Sequence, residues 1–217
     1  MNTIKPAPVA TAVLLKLLII ATAGMGEVAM AYEEPAYEVI RQTEDYEIRR
    51  YAPYIVAETE VNGGFGAAGS EAFRILAGYI FGKNKVSGMS IAAEQSEDDS
   101  IRMAMTVPVF STEAGQDAAR RFTYSFVMPS AFSLETLPEP LDPRVHLRVV
   151  PERVVAVRRY SGRWSEQRFA DHEAELRRAL ERDGLDPAGA TQLARYNGPW
   201  TPWFMRRNEV MIAVAGA

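Results

Sequence analysis

The sequence has no cysteine among its 217 residues. This absence excludes disulfides, cysteine-held zinc or iron–sulfur centres, thiolate ligation of haem and cysteine nucleophiles. Histidine is scarce as well, since His146 and His172 are the two in the chain. A metal centre built from several histidines is therefore excluded, and we expect no metal site. Histidine-based acid–base chemistry has only these two candidates.

Positive charge is also in the minority. The chain carries 24 Lys and Arg against 28 Asp and Glu, for a formal net charge of −4. Nucleic-acid binding needs a concentration of positive charge, so we expect no nucleic-acid partner. Hydrophobic residues make up 47% and charged residues 24%, as in ordinary folded domains.

The sequence lacks a hydrophobic run long enough to span a membrane. Lys16 interrupts the apolar N-terminal stretch before it reaches the roughly 20 residues that a spanning helix needs. Lys5 and Lys16 instead precede a short apolar segment at 17–23, and residues 29–31 (AMA) match a signal-peptide cleavage site. An uncleaved membrane anchor and a disordered tail are the alternatives.

We therefore predict a signal peptide at 1–31 and one mature domain at 32–217. The protein is then periplasmic or secreted, and it meets a membrane only if the signal segment is retained. The sequence does not determine the oligomeric state.

The mature chain contains a weak internal repeat at an offset of 99 residues. Residues 48–57 (IRRYAPYIVA) resemble residues 147–156 (LRVVPERVVA). In each copy a run of β-branched residues with a central proline precedes a glycine-containing turn, at 62–63 and 161–162. This pattern predicts two short strands joined by a tight connection in each copy.

A helix follows each pair of strands. Apolar residues at three- and four-residue spacing predict a first helix at about 70–81 and a second at about 165–183. Ser70 and Ser165 are candidate N-caps, and a glycine follows each helix. The stripe of the first helix comprises Ala72, Phe73, Leu76, Tyr79 and Ile80.

Further strands follow each helix, at 102–110 and 122–128 in the first copy and at 193–196 and 209–214 in the second. The predicted fold is thus α+β, with duplicated ββαββ units. We expect them to form a distorted, mostly antiparallel β-barrel flanked by two helices.

No local motif indicates catalysis. The glycine-rich residues 62–66 (NGGFG) lack the lysine of a phosphate loop, and residues 161–162 lack the serine-nucleophile elbow. The acidic loop 94–99 lacks the spacing of an EF-hand and is predicted to be solvated. We therefore predict that the protein is not an enzyme.

Four segments together resemble the SOUL haem-binding protein family. They are residues 104–109 (AMTVPV), residues 46–51 (YEIRRY), residues 79–84 (YIFGKN), and residues 196–199 (YNGP) with 206–210 (RRNEV). These segments occur in the family's order, and the match extends over nearly the whole mature chain.

The resemblance implies binding of haem or a related tetrapyrrole in a shallow apolar cleft beside the first helix. It also implies a fold similar to the effector-binding modules of bacterial regulators. We accordingly expect an exported tetrapyrrole carrier or buffer. The candidate cofactor-binding residues are Phe73, Arg74, Leu76, Ala77, Ile80, Met103 and Met105.

Arg74 aligns with an arginine that animal members of the family use to contact haem. Two other basic positions of those members are replaced here, by Gly78 and Thr201. A histidine ligand proposed for one branch of the family has no counterpart either, since His146 and His172 both follow the first helix. Haem is therefore expected to bind without a protein ligand to iron. Candidates to replace the missing basic residues are Lys83, Lys85 and Arg206.

Two other functions are consistent with the sequence. A general apolar-ligand or organic-cation module would depend on a glutamate or tyrosine in the cleft more than on Arg74. A tetrapyrrole-modifying enzyme would use His172 or a glutamate as a base.

Overall fold

The computed structural model describes residues 32–86, 100–114 and 120–215. These residues form helices α1 (Phe65–Ile80) and α2 (Glu166–Arg182), a short 3-10 helix (Trp203–Met205) and eleven strands. The strands are β1 (Tyr37–Gln42), β2 (Glu47–Tyr51), β3 (Tyr54–Asn62), β4 (Asn84–Lys85), β5 (Val109–Ala114), β6 (Arg121–Val127), β7 (Glu139–Pro140), β8 (His146–Val150), β9 (Arg153–Tyr160), β10 (Asp186–Arg195) and β11 (Asn208–Ala215). The predicted signal peptide and the acidic loop 94–99 lie outside the described residues.

Nine strands form one antiparallel sheet in the order β1-β2-β9-β11-β10-β5-β6-β3-β8. The sheet is curled into a half-barrel that two helices flank, and β4 pairs separately with β7. The predicted α+β fold is confirmed. No helix in the described ranges is long and apolar enough to cross a membrane.

The two halves of the domain exchange strands. β2 and β3 are joined only by Ala52 and Pro53, yet β2 pairs with β9 and β3 pairs with β8. Tyr51 lies opposite Arg153, and Tyr54 lies opposite Val150. The 99-residue offset of the sequence repeat relates position 51 to 150 and position 54 to 153. The two pairs are therefore equivalent under the repeat. Each half thus supplies a strand to the sheet of the other half.

Helix α1 begins five residues before the predicted start. Gly63 has φ +132°, a value that favours glycine, and it turns the chain so that Gly64 is the N-cap. Ser70 lies inside the helix and donates to the Gly66 carbonyl. The prediction for α2 is confirmed at its start, where the Ser165 hydroxyl accepts from the Arg168 N–H.

The prediction of a strand at 102–110 is wrong for most of that range, because the strand starts at Val109. The Met103 N–H donates to the carbonyl of Ile80 at the end of α1, and the Val107 N–H donates to the Glu33 carbonyl. These bonds lead away from the sheet, so the segment is a connection between α1 and β5.

The core lies on both faces of the sheet. On one face α1 packs on β3 and β6, while α2 packs on β9, β10 and β11. On the other face the side chains of the central strands pack on each other, among them Tyr51, Phe110, Tyr196 and Met211. The helices therefore keep one long face free of the sheet, and α1 presents that face to solvent.

Candidate functional site

A groove of about 410 Å³ lies on the outward face of α1. Positions 73, 77 and 81 are four residues apart, so their side chains form one row along the helix. The next row, at 74 and 78, completes the floor. The lining residues are Phe73, Arg74, Ala77, Gly78, Phe81 and Lys83.

Two phenyl rings border the groove. Phe73 is 47% exposed and Phe81 is 52% exposed, although both are large apolar side chains. The Phe73 ring lies 5.5 Å from the Phe126 ring of β6, which holds it against the sheet. Because the small residues Ala77 and Gly78 lie between the rings, the helix leaves an apolar trough there. Exposed apolar surface of this kind marks binding sites.

Two basic side chains form the rim of the groove. Arg74 is exposed, and no described carboxylate forms an ion pair with it. The Lys83 side chain crosses Gly78, where a Cβ atom would lie 3.1 Å from Lys83 Cδ. Lys83 therefore occupies the space that a side chain at 78 would take. This is the position at which the family resemblance implies a lysine.

The backbone of Lys83 is fixed on both sides. Its N–H donates to the Gly78 carbonyl at 2.8 Å, and its carbonyl accepts from the Leu141 N–H at 3.1 Å. Beside it, hydrogen bonds from Arg144, and to a lesser extent the charge of Lys83, lower the pKa of Asp142 to about 2. The carboxylate next to the rim is thus ionised and already paired with Arg144.

Residues of the segment 79–84 (YIFGKN) fix the C-terminal end of α1 through hydrogen bonds. The Tyr79 hydroxyl donates to the Pro138 carbonyl, and burial strongly raises its pKa. The Asn84 amide donates to the carbonyls of Tyr79 and Ile101 and accepts from the Ile101 N–H. This part of the family pattern fixes the position from which Lys83 extends.

The structure brings together three of the seven predicted residues, namely Phe73, Arg74 and Ala77. The other four lie on the core side of the groove. Leu76 and Ile80 belong to the buried face of α1, and Met103 is buried and Met105 partly buried in the same core. They support the helix and do not line the groove, because the segment 102–108 passes on the core side. Their contact with a ligand stays a prediction.

Sequence reasoning missed Phe81 as a lining residue. Its spacing of four residues from Ala77, and of eight from Phe73, was the available signal. Lys83 was one of three candidate replacements, and the close approach to Gly78 distinguishes it from Lys85.

Two other family segments, 46–51 and 196–199 with 206–210, meet in a buried ion-pair cluster on the sheet face opposite the helices. The Glu209 carboxylate is 0% exposed and lies 2.9 Å from both Arg49 Nη1 and Arg207 Nε. It also accepts from the Tyr196 hydroxyl at 2.7 Å. Burial alone raises the pKa of Glu209, but the hydrogen bond and charge of Arg49, with Arg207, outweigh it and lower the pKa.

His172 lies on α2, away from the groove. Its ring stacks on Tyr160 at 4.1 Å, and Nδ1 is 3.1 Å from Glu175 Oε2. In the described parts of the chain no three His, Asp or Glu side chains are placed to hold a metal ion.

Two solved structures share this half-barrel fold. The EcmrR C-terminal domain has a TM-score of 0.58 at 10% identity and covers 83% of this chain and 99% of its own. A hydrolase from Listeria innocua has a TM-score of 0.54 at 14% identity, over 81% of this chain and 94% of its own. At these identities the likeness shows the fold alone.

A sequence model of the SOUL heme-binding protein family matches residues 32–213. The match covers most of the chain, which therefore belongs to this family. No curated protein sequence matches it.

Proposed function

We propose that this protein binds haem or a related tetrapyrrole in the groove on α1 and acts outside the cytoplasm as a non-catalytic carrier or buffer. The observation that carries the proposal is the apolar trough between Phe73 and Phe81 with Arg74 and Lys83 at its rim. Membership of the SOUL family supports haem as the ligand. The signal-like residues 1–31 support export.

The groove suits the chemistry of haem. The macrocycle is a flat apolar plate, and burial of roughly 200–300 Å² of it contributes about 5–8 kcal/mol before association costs. This is enough for micromolar affinity without a protein ligand to iron. The two propionates match the rim, since a guanidinium pairs with a carboxylate through two hydrogen bonds and an ammonium acts as a point charge.

The placement of charged and polar side chains disfavours the two alternative functions, an organic-cation module and a tetrapyrrole-modifying enzyme. An organic cation needs an accessible carboxylate, but Glu209 is buried between Arg49 and Arg207. The rim of the groove is cationic and attracts an anion instead. Among the residues that the structure describes, no side chain that lines the groove is a carboxylate, an imidazole or a hydroxyl, so this part of the lining offers none of the usual acid–base groups of a tetrapyrrole-modifying enzyme.

A hemin titration followed by Soret absorbance tests the site. We expect a saturable shift, and we expect Arg74→Gln, Lys83→Gln and Phe81→Ser each to raise the dissociation constant by about three- to tenfold, as for a lost exposed charge pair or ring contact. Arg178→Gln is the matched control, because Arg178 is exposed on the far helix α2.

The titration distinguishes whether haem is the ligand from whether it binds in the α1 groove. If hemin produces no saturable shift, haem is not the ligand. If it binds the three groove variants as tightly as it binds Arg178→Gln, the ligand lies outside the α1 groove.

A further inference from the structure

All three tryptophans of the chain lie in one surface region, far along the sequence from α1. We define the aromatic patch as Trp164, Trp200, Trp203, Phe204 and Met205. Trp200 is 92% exposed, Phe204 61% and Met205 65%. A tryptophan that is almost fully exposed is costly to keep in water, and its neighbours extend the same apolar surface.

The patch protrudes on a braced loop. Arg206 donates to the carbonyls of Thr201 and Pro199, at 2.8 and 2.7 Å. The Gly162 N–H donates to the Trp203 carbonyl at 3.0 Å. These bonds and two prolines fix the backbone of the loop. The apolar side chains therefore point outwards in the protein alone, and the loop does not have to become ordered on binding.

The surroundings of the patch are basic, although the whole chain is acidic. Residues 197–207 contain two arginines and no carboxylate. Arg163 and Arg206 line a groove of about 510 Å³ beside the tryptophans. Neither they nor the neighbouring Arg168 forms an ion pair with a carboxylate in the part of the chain that the structure describes. The patch therefore combines exposed aromatics with uncompensated positive charge.

The domain also begins beside this patch. Glu34 accepts two hydrogen bonds from Arg207 Nη1, at 2.9 and 3.0 Å, and Arg207 follows the patch loop directly. The first described residues therefore lie on the side of the domain that carries the patch.

We propose that the aromatic patch docks the domain on an anionic phospholipid bilayer, with Trp200, Phe204 and Met205 in the interface and Arg163 and Arg206 against headgroup phosphates. Tryptophan prefers the membrane–water interface, where its ring is apolar and its N–H stays hydrated. Arginine next to such a loop adds attraction to anionic lipid. The proposal is independent of the haem groove and adds a membrane contact beyond the signal segment.

Tryptophan emission of the full chain tests the proposal, because all three reporters belong to the patch. The probe is a set of vesicles of phosphatidylcholine alone or mixed with phosphatidylglycerol, with and without brominated acyl chains. We expect a blue shift and bromine quenching with the anionic vesicles, and a weaker effect at high salt or with neutral vesicles.

Variants test whether the aromatic patch is responsible for vesicle binding. The double change Trp200→Ser with Phe204→Ser is expected to lower vesicle partitioning by about tenfold or more, and Arg163→Gln to lower it only for anionic vesicles. The matched control is Leu134→Ser, because Leu134 is exposed on another part of the surface.

Three results overturn the proposal. The first is an unshifted and unquenched emission, even when the chain sediments with vesicles through its N-terminal segment. The second is equal partitioning of the double variant and Leu134→Ser. The third is a blue shift that depends on protein concentration without lipid and coincides with a doubled mass in light scattering, which assigns the patch to a second copy.

Discussion

At the scale of single residues, Glu209 connects segments that are distant in the sequence. Its carboxylate contacts Arg49 on β2, Tyr196 at the end of β10 and Arg207 before β11. These residues come from two of the four segments that resemble the SOUL family, 46–51 and 196–199 with 206–210. These parts of the family pattern therefore stabilise the fold.

We predict that Glu209→Gln destabilises the protein by about 3 kcal/mol, because removal of one member of a buried ion pair leaves charge without compensation. The loss lies at the low end of the usual range, since Glu47 still pairs with Arg49. Urea unfolding followed by circular dichroism measures it. Glu113→Gln is the control, because its pair with Arg120 is exposed and contributes about 0–1 kcal/mol.

Glu209→Gln should also change how the free energy of unfolding depends on pH. The pKa of Glu209 is lower in the folded protein than its ordinary value of 4.5. Its stabilisation is therefore complete above pH 4.5 and is lost as the pH falls through the lower, folded value. The unfolding free energy of the wild type should fall in this window, and that of Glu209→Gln should fall less. Parallel curves for the two proteins would contradict the assignment.

At the scale of elements, the two helices differ in how they start. Ser165 caps α2 with its hydroxyl, whereas Gly64 at the start of α1 offers no side chain and the first turn holds no acidic residue. Gly64 has φ −73° and ψ 153°, which any residue adopts, and a Cβ there meets open space.

Gly64→Asp should therefore stabilise the protein by about 0.5–1 kcal/mol, through a cap hydrogen bond and a favourable charge at the helix N-terminus. The neighbouring Gly63→Ala is the control, and it should destabilise by about 1 kcal/mol because φ is +132° at that position. Thermal melts of both variants measure the difference. Equal shifts for the two changes would show that local backbone geometry does not decide the effect.

The elements also show what sequence patterns can and cannot predict. The apolar stripe predicted the buried face of α1 correctly for most of its members, but it also included Phe73, which lies with Arg74 and Ala77 on the outward face. It missed the start of α1, because the glycine-rich residues 62–66 lack the apolar spacing that predicts a helix. It also missed the path of 102–108, because hydrogen bonds to Ile80 and Glu33, which are distant in the sequence, determine that path.

At the scale of the whole molecule, the exchange of strands makes each half depend on the other. β2 lies against β9, and β3 lies between β6 and β8. The sequence repeat predicted that two similar units exist, but not that each completes the other, because strand pairing is a long-range property that a local pattern does not encode.

We predict that the fragments 32–142 and 143–217 do not fold separately. The first lacks the strands that cover β2 and β3, and the second lacks the strands that pair with β8 and with the β5-facing side of β10. Far-ultraviolet circular dichroism and amide proton dispersion should show disorder for each fragment and order for their mixture. Independent folding of either fragment would contradict this interdependence.

The close approach of Lys83 to Gly78 couples the two positions. A Cβ atom at 78 would lie 3.1 Å from Lys83 Cδ, so a side chain added at 78 requires the lysine to shift. Because the two side chains share one volume beside α1, the effects of substitutions at 78 and at 83 are not additive. The residue at either position thus sets the room that is left for the other.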